Sequence, residues 1–309
     1  MTTLLFPGQG AQTPGFLHQL PDHPAVVATL AEASAVLGFG VRDLDDAAAL
    51  QSTVAVQLTA VIAGVAVARA LADVGVAIDA VAGLSVGSFT AAVVAGSLSF
   101  AAALPLVKLR GELMAAAYPR GYGMAVFVGL GETRLSDLVA TINSPTTPLF
   151  LANFNAPTEI VATGAIVALD ALIAAATQAG ARKAEQIAVS VPSHCPLLSG
   201  VSEKLAQALG DIAVTAPRLT YVGNRRARVL GGAEAVIEEL ATNVANPIRW
   251  HDQTTLLYEL GERFFIEPPP GKALTGLISS AFPDVTARCA CETPLSTLAY
   301  LARRSIAPS

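Results

Sequence analysis

A chain of 309 residues is long enough for one large core carrying a smaller unit, and so for an enzyme, not for a string of small modules. Its net charge of −5 argues against broad nucleic-acid binding, leaving Arg225, Arg226 and Arg228 as a local basic loop. The three cysteines, Cys195, Cys289 and Cys291, are too few for a disulfide framework or a zinc site and read as reduced thiols, so no metal is expected.

In chain order, Met1-Thr2-Thr3 enters an apolar strand with no basic segment or cleavage site before it, and a cytoplasmic location is expected. Val54 to Ala72 is apolar all round, interrupted by Gln57, Thr59 and Arg69, as for a helix packed on a sheet and covered on its other side. Ala80 to Val107 carries no charge, which raises the question of a membrane span. Gly83, Ser85, Gly87, Ser88, Gly96, Ser97, Ser99 and Pro105 break it, so a buried strand and a central buried helix are expected instead, with no membrane association. The alternation up to about residue 120 is α/β patterning.

The rhythm then changes. A strand at Met124 to Gly129, a helix at Glu132 to Ile142, strands at Leu149 to Asn153 and Glu159 to Thr163, a helix at Ala165 to Ala179 and a strand at Lys183 to Val189 follow in turn. That order is the β-α-β-β-α-β ferredoxin-like plan. Residues 121–189 therefore read as a small subdomain inserted into a large α/β domain formed by 1–120 and 190–309. The large domain resumes with a helix near Leu197 to Leu209, a strand near Leu219 to Gly223 and a strand Arg263 to Ile266, and only the last few residues read as disordered. The fold class expected is α/β, an α/β-hydrolase-like domain with a mainly parallel sheet.

The richest stretch is Gly83-Leu84-Ser85-Val86-Gly87, a G-x-S-x-G sequence after an apolar run. A serine on a sharp strand-to-helix turn needs small residues two positions either side, and the helix that follows aims its free N–H groups at whatever oxygen sits beside the serine. In a chain this rich in Gly, Ala and Ser, the spacing alone does not separate a nucleophile elbow from a helix-packing turn. Of the four histidines, His194 alone sits in a Pro-punctuated loop between strand and helix, fitting either a general base for Ser85 or a loop residue satisfied by backbone. Arg110 ends a largely apolar helix and either receives a carboxylate ligand or pairs with Glu112 or another acid. Gln9, flanked by Gly8 and Gly10, lies in a turn whose backbone can approach a ligand or simply cap.

Phe6-Pro7-Gly8-Gln9-Gly10, Gly83-Leu84-Ser85-Val86-Gly87, Arg110-Gly111-Glu112, Val191-Pro192-Ser193-His194-Cys195, Asn243-Val244-Ala245-Asn246-Pro247-Ile248-Arg249-Trp250 and Pro270-Gly271-Lys272, in that order, resemble the malonyl-CoA:acyl-carrier-protein transacylases. The resemblance implies Ser85 as nucleophile and His194 as its base, the imidazole being held by the backbone carbonyl at Asn243 in a dyad without a carboxylate. It implies the N–H groups of Gln9 and Val86 as the oxyanion hole and Arg110 as the receptor of the malonyl carboxylate. Asn155 matches a family asparagine near the acyl and pantetheine site. Malonyl-CoA and an acyl-carrier protein are the implied substrates, with no tightly bound cofactor. Where most fatty-acid-synthesis members carry His before the serine this chain has Leu84, which looks like the transacylase subunit of malonate decarboxylase, so that carrier is the expected acceptor. The rivals are the ordinary fatty-acid transacylase, a serine hydrolase with the same dyad, and a non-catalytic assembly subunit.

Overall fold

A computed structural model of the chain describes residues 1–118, 120–189 and 191–306. The first half of the large unit runs β1 (Thr2–Phe6), α1 (Pro24–Leu37), α2 (Thr53–Asp73), β2 (Ala80–Gly83), α3 (Gly87–Val94) and α4 (Phe100–Ala117). A second unit follows as β3 (Tyr122–Val128), α5 (Glu132–Ile142), β4 (Leu149–Ala156), β5 (Glu159–Ala165), α6 (Ile166–Gln178) and β6 (Lys183–Ile187). The chain then returns through α7 (Ser199–Gly210), β7 (Thr220–Val222), α8 (Ala233–Thr242), α9 (Trp250–Glu259), β8 (Phe264–Glu267), α10 (Ala273–Ala281), β9 (Thr286–Cys289) and α11 (Leu295–Ile306). The disorder expected of the last residues falls on 307–309, outside the described residues.

The first sheet has the order β7-β2-β1-β8-β9, every pair parallel. Such a sheet is covered on both faces, and β1, β2 and β8 are accordingly buried at every position. Helix α2 has the length and hydropathy of a membrane span, but it is largely buried inside the protein. It packs against α1, α3 and α4. Gly64 sets its closest approach, since a Cβ there would lie 2.7 Å from Thr90 and 3.3 Å from Phe6.

The second sheet is antiparallel with order β4-β5-β3-β6, the arrangement the β-α-β-β-α-β order predicts, and it closes its own core around Phe127, Leu135, Leu149, Leu169 and Leu172. The two sheets are tied together beyond the chain crossings. Phe154 N–H donates to the Ile248 carbonyl at 2.8 Å and Ile248 N–H to the Ala152 carbonyl at 2.8 Å, so the segment before α9 runs beside β4. Arg249 reinforces this, bonded to both Glu132 carboxylate oxygens at 3.0 and 3.1 Å with its guanidinium 4.3 Å from the Phe154 ring centre.

Two expectations are corrected. Cys289 and Cys291 form a disulfide, because the end of β9 and the turn after it bring Cα atoms two residues apart to 5.4 Å; only Cys195 is free, and it is buried. Arg110 does not end its helix but lies inside α4, which continues for about two more turns to Ala117.

Candidate active site

Ser85 sits between the end of β2 and the start of α3 with φ of 56°, a left-handed conformation that costs a non-glycine residue energy. The glycines of the motif are there for space. A Cβ on Gly83 would lie 2.1 Å from the Gly87 backbone, and one on Gly87 would lie 2.3 Å from the Phe6 carbonyl oxygen. Gly8 packs against the same turn, its absent Cβ 3.0 Å from the Leu84 carbonyl oxygen and 3.5 Å from the Ser85 Cβ. The Pro7–Gly10 turn is thereby brought onto the serine.

His194, also at positive φ (63°), projects its imidazole between Ser85 and the backbone after α8. Nε2 is 2.8 Å from Ser85 Oγ and Nδ1 is 2.7 Å from the Asn243 carbonyl oxygen. A carbonyl only accepts, so Nδ1 carries the proton and Nε2 is left as the acceptor facing the hydroxyl. Burial and the nearby Arg110 charge push the imidazole pKa down to about 3, against the backbone bond that favours the cation. The ring is therefore neutral at pH 7. The other histidines are elsewhere: His23 caps α1, His18 lies 3.4 Å from Asp45, and His251 stacks on Phe282.

Arg110 is 1% exposed. Its Nη2 donates to Ser85 Oγ at 3.1 Å, its Nη1 to Gln57 Oε1, and its Nε to no described atom. No carboxylate pairs with it among the described residues, and Glu112 is taken by Lys108. Burial lowers the guanidinium pKa to about 9, so it stays cationic at neutral pH. A buried cation without an anion is costly and attracts a ligand carboxylate.

The remaining expected residues divide. Neither the Gln9 nor the Val86 amide donates to another described residue; Val86 follows the serine, and Gly8, the neighbour of Gln9, packs against it. Asn243 contributes more than its carbonyl, since its Nδ2 donates to the Ser85 carbonyl at 3.2 Å. Asn155 is not brought to the serine; its Nδ2 bonds Glu159 at 3.1 Å across the β4–β5 hairpin. The sequence reading missed Gln57, although a glutamine inside an apolar helix was a visible signal. It links Arg110 to Thr53 at 3.2 Å, and Thr53 Oγ1 donates to Gln9 Oε1 at 3.2 Å. Asn224 was missed too, and its Oδ1 accepts the Ser85 N–H at 2.9 Å.

A cleft of about 400 Å³ shares Gln9 and Thr53 with this network and is lined also by Gln12, Tyr118, Val189 and Val191. Neither this cleft nor a larger cavity of about 950 Å³, between Pro269–Gly271 and Cys291–Ser296, is lined by Ser85, His194 or Arg110 themselves. The half-buried serine hydroxyl thus meets a neutral imidazole that can take its proton and a guanidinium without a carboxylate partner among the described residues, an arrangement suited to activating a serine for attack on an acyl carbonyl.

An α/β fold with a serine elbow, a separate histidine and a second small sheet defines a class of acyl-transferring enzymes, and this chain belongs to the acyl transferase family, whose domain matches residues 3–293. It is 35% identical over 291 residues to the malonyl CoA-acyl carrier protein transacylase of Escherichia coli (strain K12), covering 92% of this chain and 93% of that one. In structure it is similar to the malonyl CoA-acyl carrier protein transacylase of Coxiella burnetii, with TM-score 0.94 and 28% identity over 99% of this chain and 98% of the other. It is also similar to a malonyl-transacylase solved in complex with a type II PKS acyl-carrier protein, with TM-score 0.92 and 33% identity over 98% and 99% of the two chains.

Proposed function

We propose that this protein moves a malonyl group from malonyl-CoA to the thiol of an acyl-carrier protein through a malonyl-Ser85 intermediate. The observation that carries the reading is the convergence of His194 Nε2 and Arg110 Nη2 on one oxygen, Ser85 Oγ. In the first half-reaction Ser85 Oγ attacks the thioester carbonyl while its proton passes to His194 Nε2. The Gln9 and Val86 N–H groups receive the oxyanion, the C–S bond breaks, and His194 returns the proton to the departing CoA thiolate. The carrier thiol then gives its proton to His194 and attacks malonyl-Ser85, regenerating the hydroxyl. Arg110 holds the distal carboxylate throughout. Residues 121–189 act as a small subdomain forming one wall of the cleft.

The physiological acceptor we propose is the carrier subunit of malonate decarboxylase. Leu84 supports this: it packs its side chain against the cluster around Ile248, Trp250 and Phe265, where fatty-acid-synthesis relatives place an imidazole beside the serine. The second reading, an ordinary acyl carrier, is favoured by the names of the relatives above. Brief incubation with malonyl-CoA should add one malonyl group at Ser85 by peptide mass analysis, and Ser85→Ala should abolish it. Labelling that persists in the variant refutes the nucleophile. Side-by-side kinetics should give a higher kcat/KM for the decarboxylase carrier than for the fatty-acid carrier of the same cell, and the opposite preference reverses the choice of acceptor.

A further inference from the structure

The strained turn at Ser85 is gripped from behind by a residue outside every motif used so far. Asn224 follows β7 and is fully buried. Its Oδ1 accepts the Ser85 N–H at 2.9 Å, and its Nδ2 donates to the Gly83 carbonyl at 2.7 Å and to Ser88 Oγ at 2.6 Å. One carboxamide therefore bonds the last residue of β2, the serine and the start of α3. It also occupies the serine's own amide, which is therefore not available to an acyl oxygen, whereas the Gln9 and Val86 amides donate to no described residue.

Asn224 is itself held by Glu239 of α8. Glu239 Oε1 accepts the Asn224 N–H at 2.8 Å and lies 3.5 Å from Ser88 Oγ. Glu239 is 5% exposed, and no Lys, Arg or His pairs with it among the described residues; Arg225 and Arg226 bond the neighbouring Glu238 at the surface. Gly223 gives it room, since a Cβ there would come within 2.8 Å of Glu239 Oε2. Burial raises its carboxyl pKa, while hydrogen bonds from Asn224 and Ser88 work the other way. An acid buried without a cation is destabilising unless its bonds accomplish something an apolar side chain cannot.

We propose that Asn224, set by Glu239, is the positioning residue that holds the Ser85 hydroxyl in line with His194. The proposal rests on the acyl-transfer reading for its chemistry, though not for its geometry. A small displacement of a reacting atom costs on the order of 10²-fold in rate. Two readouts on the full-length protein separate the possibilities: single-turnover malonylation of Ser85, and labelling of Ser85 by a fluorophosphonate, which needs an activated serine but no malonyl recognition.

Asn224→Ala should slow both on the order of 10²-fold, with the malonyl-CoA concentration for half-maximal rate changed less than about threefold. Asn224→Asp, which cannot donate to Gly83 and Ser88, should do the same. Glu239→Leu should slow both by about tenfold, and Glu239→Gln, which keeps an acceptor for the Asn224 N–H, should recover most of that loss. Folded Asn224 variants with fluorophosphonate labelling within twofold of wild type overturn the proposal. So does an effect confined to malonyl-CoA affinity. If Asn224→Ala does not fold, the Asn224→Asp and Glu239 pairs decide by the same criteria. Wild-type protein that reacts with the fluorophosphonate but not with malonyl-CoA removes the donor assignment, and the Asn224 dependence of the fluorophosphonate rate still tests the positioning.

Discussion

Replacing Arg110 with Met tests the carboxylate pocket most directly. Met fills similar volume without charge, and the wild-type guanidinium has no acid to lose: its described partners are Gln57 and Ser85 Oγ, and Nε has none. Folding should therefore be little affected, since exchanging an unpaired buried charge for an apolar group is neutral or stabilising. With malonyl-CoA the variant loses a buried charge pair, about 3–5 kcal/mol, or roughly 10²- to 10⁴-fold in kcat/KM. With acetyl-CoA it loses only the contacts to Gln57 and to Ser85 Oγ, a loss common to both substrates. The ratio of kcat/KM for malonyl-CoA to that for acetyl-CoA should thus fall by roughly 10²- to 10⁴-fold. A second signature follows from electrostatics. The Arg110 charge is one of the causes holding His194 near pKa 3, so removing it should move the acid limb of acetyl transfer to higher pH. A malonyl carboxylate bound to Arg110 screens that same charge, which makes the base stronger when the correct substrate is present. Equal losses for both acyl groups, with an unmoved acid limb, would show that Arg110 is structural.

His194 ties stability to pH. Its folded pKa, about 3, lies below the ordinary 6.5, so the unfolded chain takes the proton first; the linked stability is full above about pH 6.5 and is lost as pH falls toward 3. Urea unfolding at pH 7 and pH 5 should show this loss in wild type and a smaller one in His194→Ala, and identical slopes would contradict a neutral buried imidazole. The same variant should be slow in both half-reactions, measured as Ser85 malonylation and as transfer to carrier. Gly87→Ala should destabilise by about 3 kcal/mol or more, because its Cβ would sit 2.3 Å from the Phe6 oxygen, whereas Gly276→Ala, with nothing within 4 Å, should be neutral or slightly stabilising. Thermal unfolding of the two variants compares them, and similar melting temperatures would remove the steric account of the elbow.

What the sequence reveals about this site depends on how local the constraint is. Gly83, Ser85 and Gly87 are legible because the turn excludes side chains at fixed offsets, and the small antiparallel sheet is legible because its strands and helices alternate within one continuous segment. Arg110 is legible as a residue but not in place, since an apolar helix does not announce where it ends. The disulfide at Cys289 and Cys291 depends on the path of a short turn that composition does not describe. Asn224 and Glu239 are the harder case: an Asn before two arginines reads as a loop, and Glu239, beside Glu234 and Glu238 on α8, reads as one more exposed acid. The position of Asn224 follows from sheet order, and Glu239 reaches it from α8. Because β7 runs parallel to β2 with Val222 beside Ala82, the residues just past the ends of the two strands emerge side by side, and Asn224 is delivered to Ser85 across a separation of 139 residues. In a parallel sheet the residue that steadies an elbow is to be sought one or two positions beyond the end of the neighbouring strand, at a place no local motif marks.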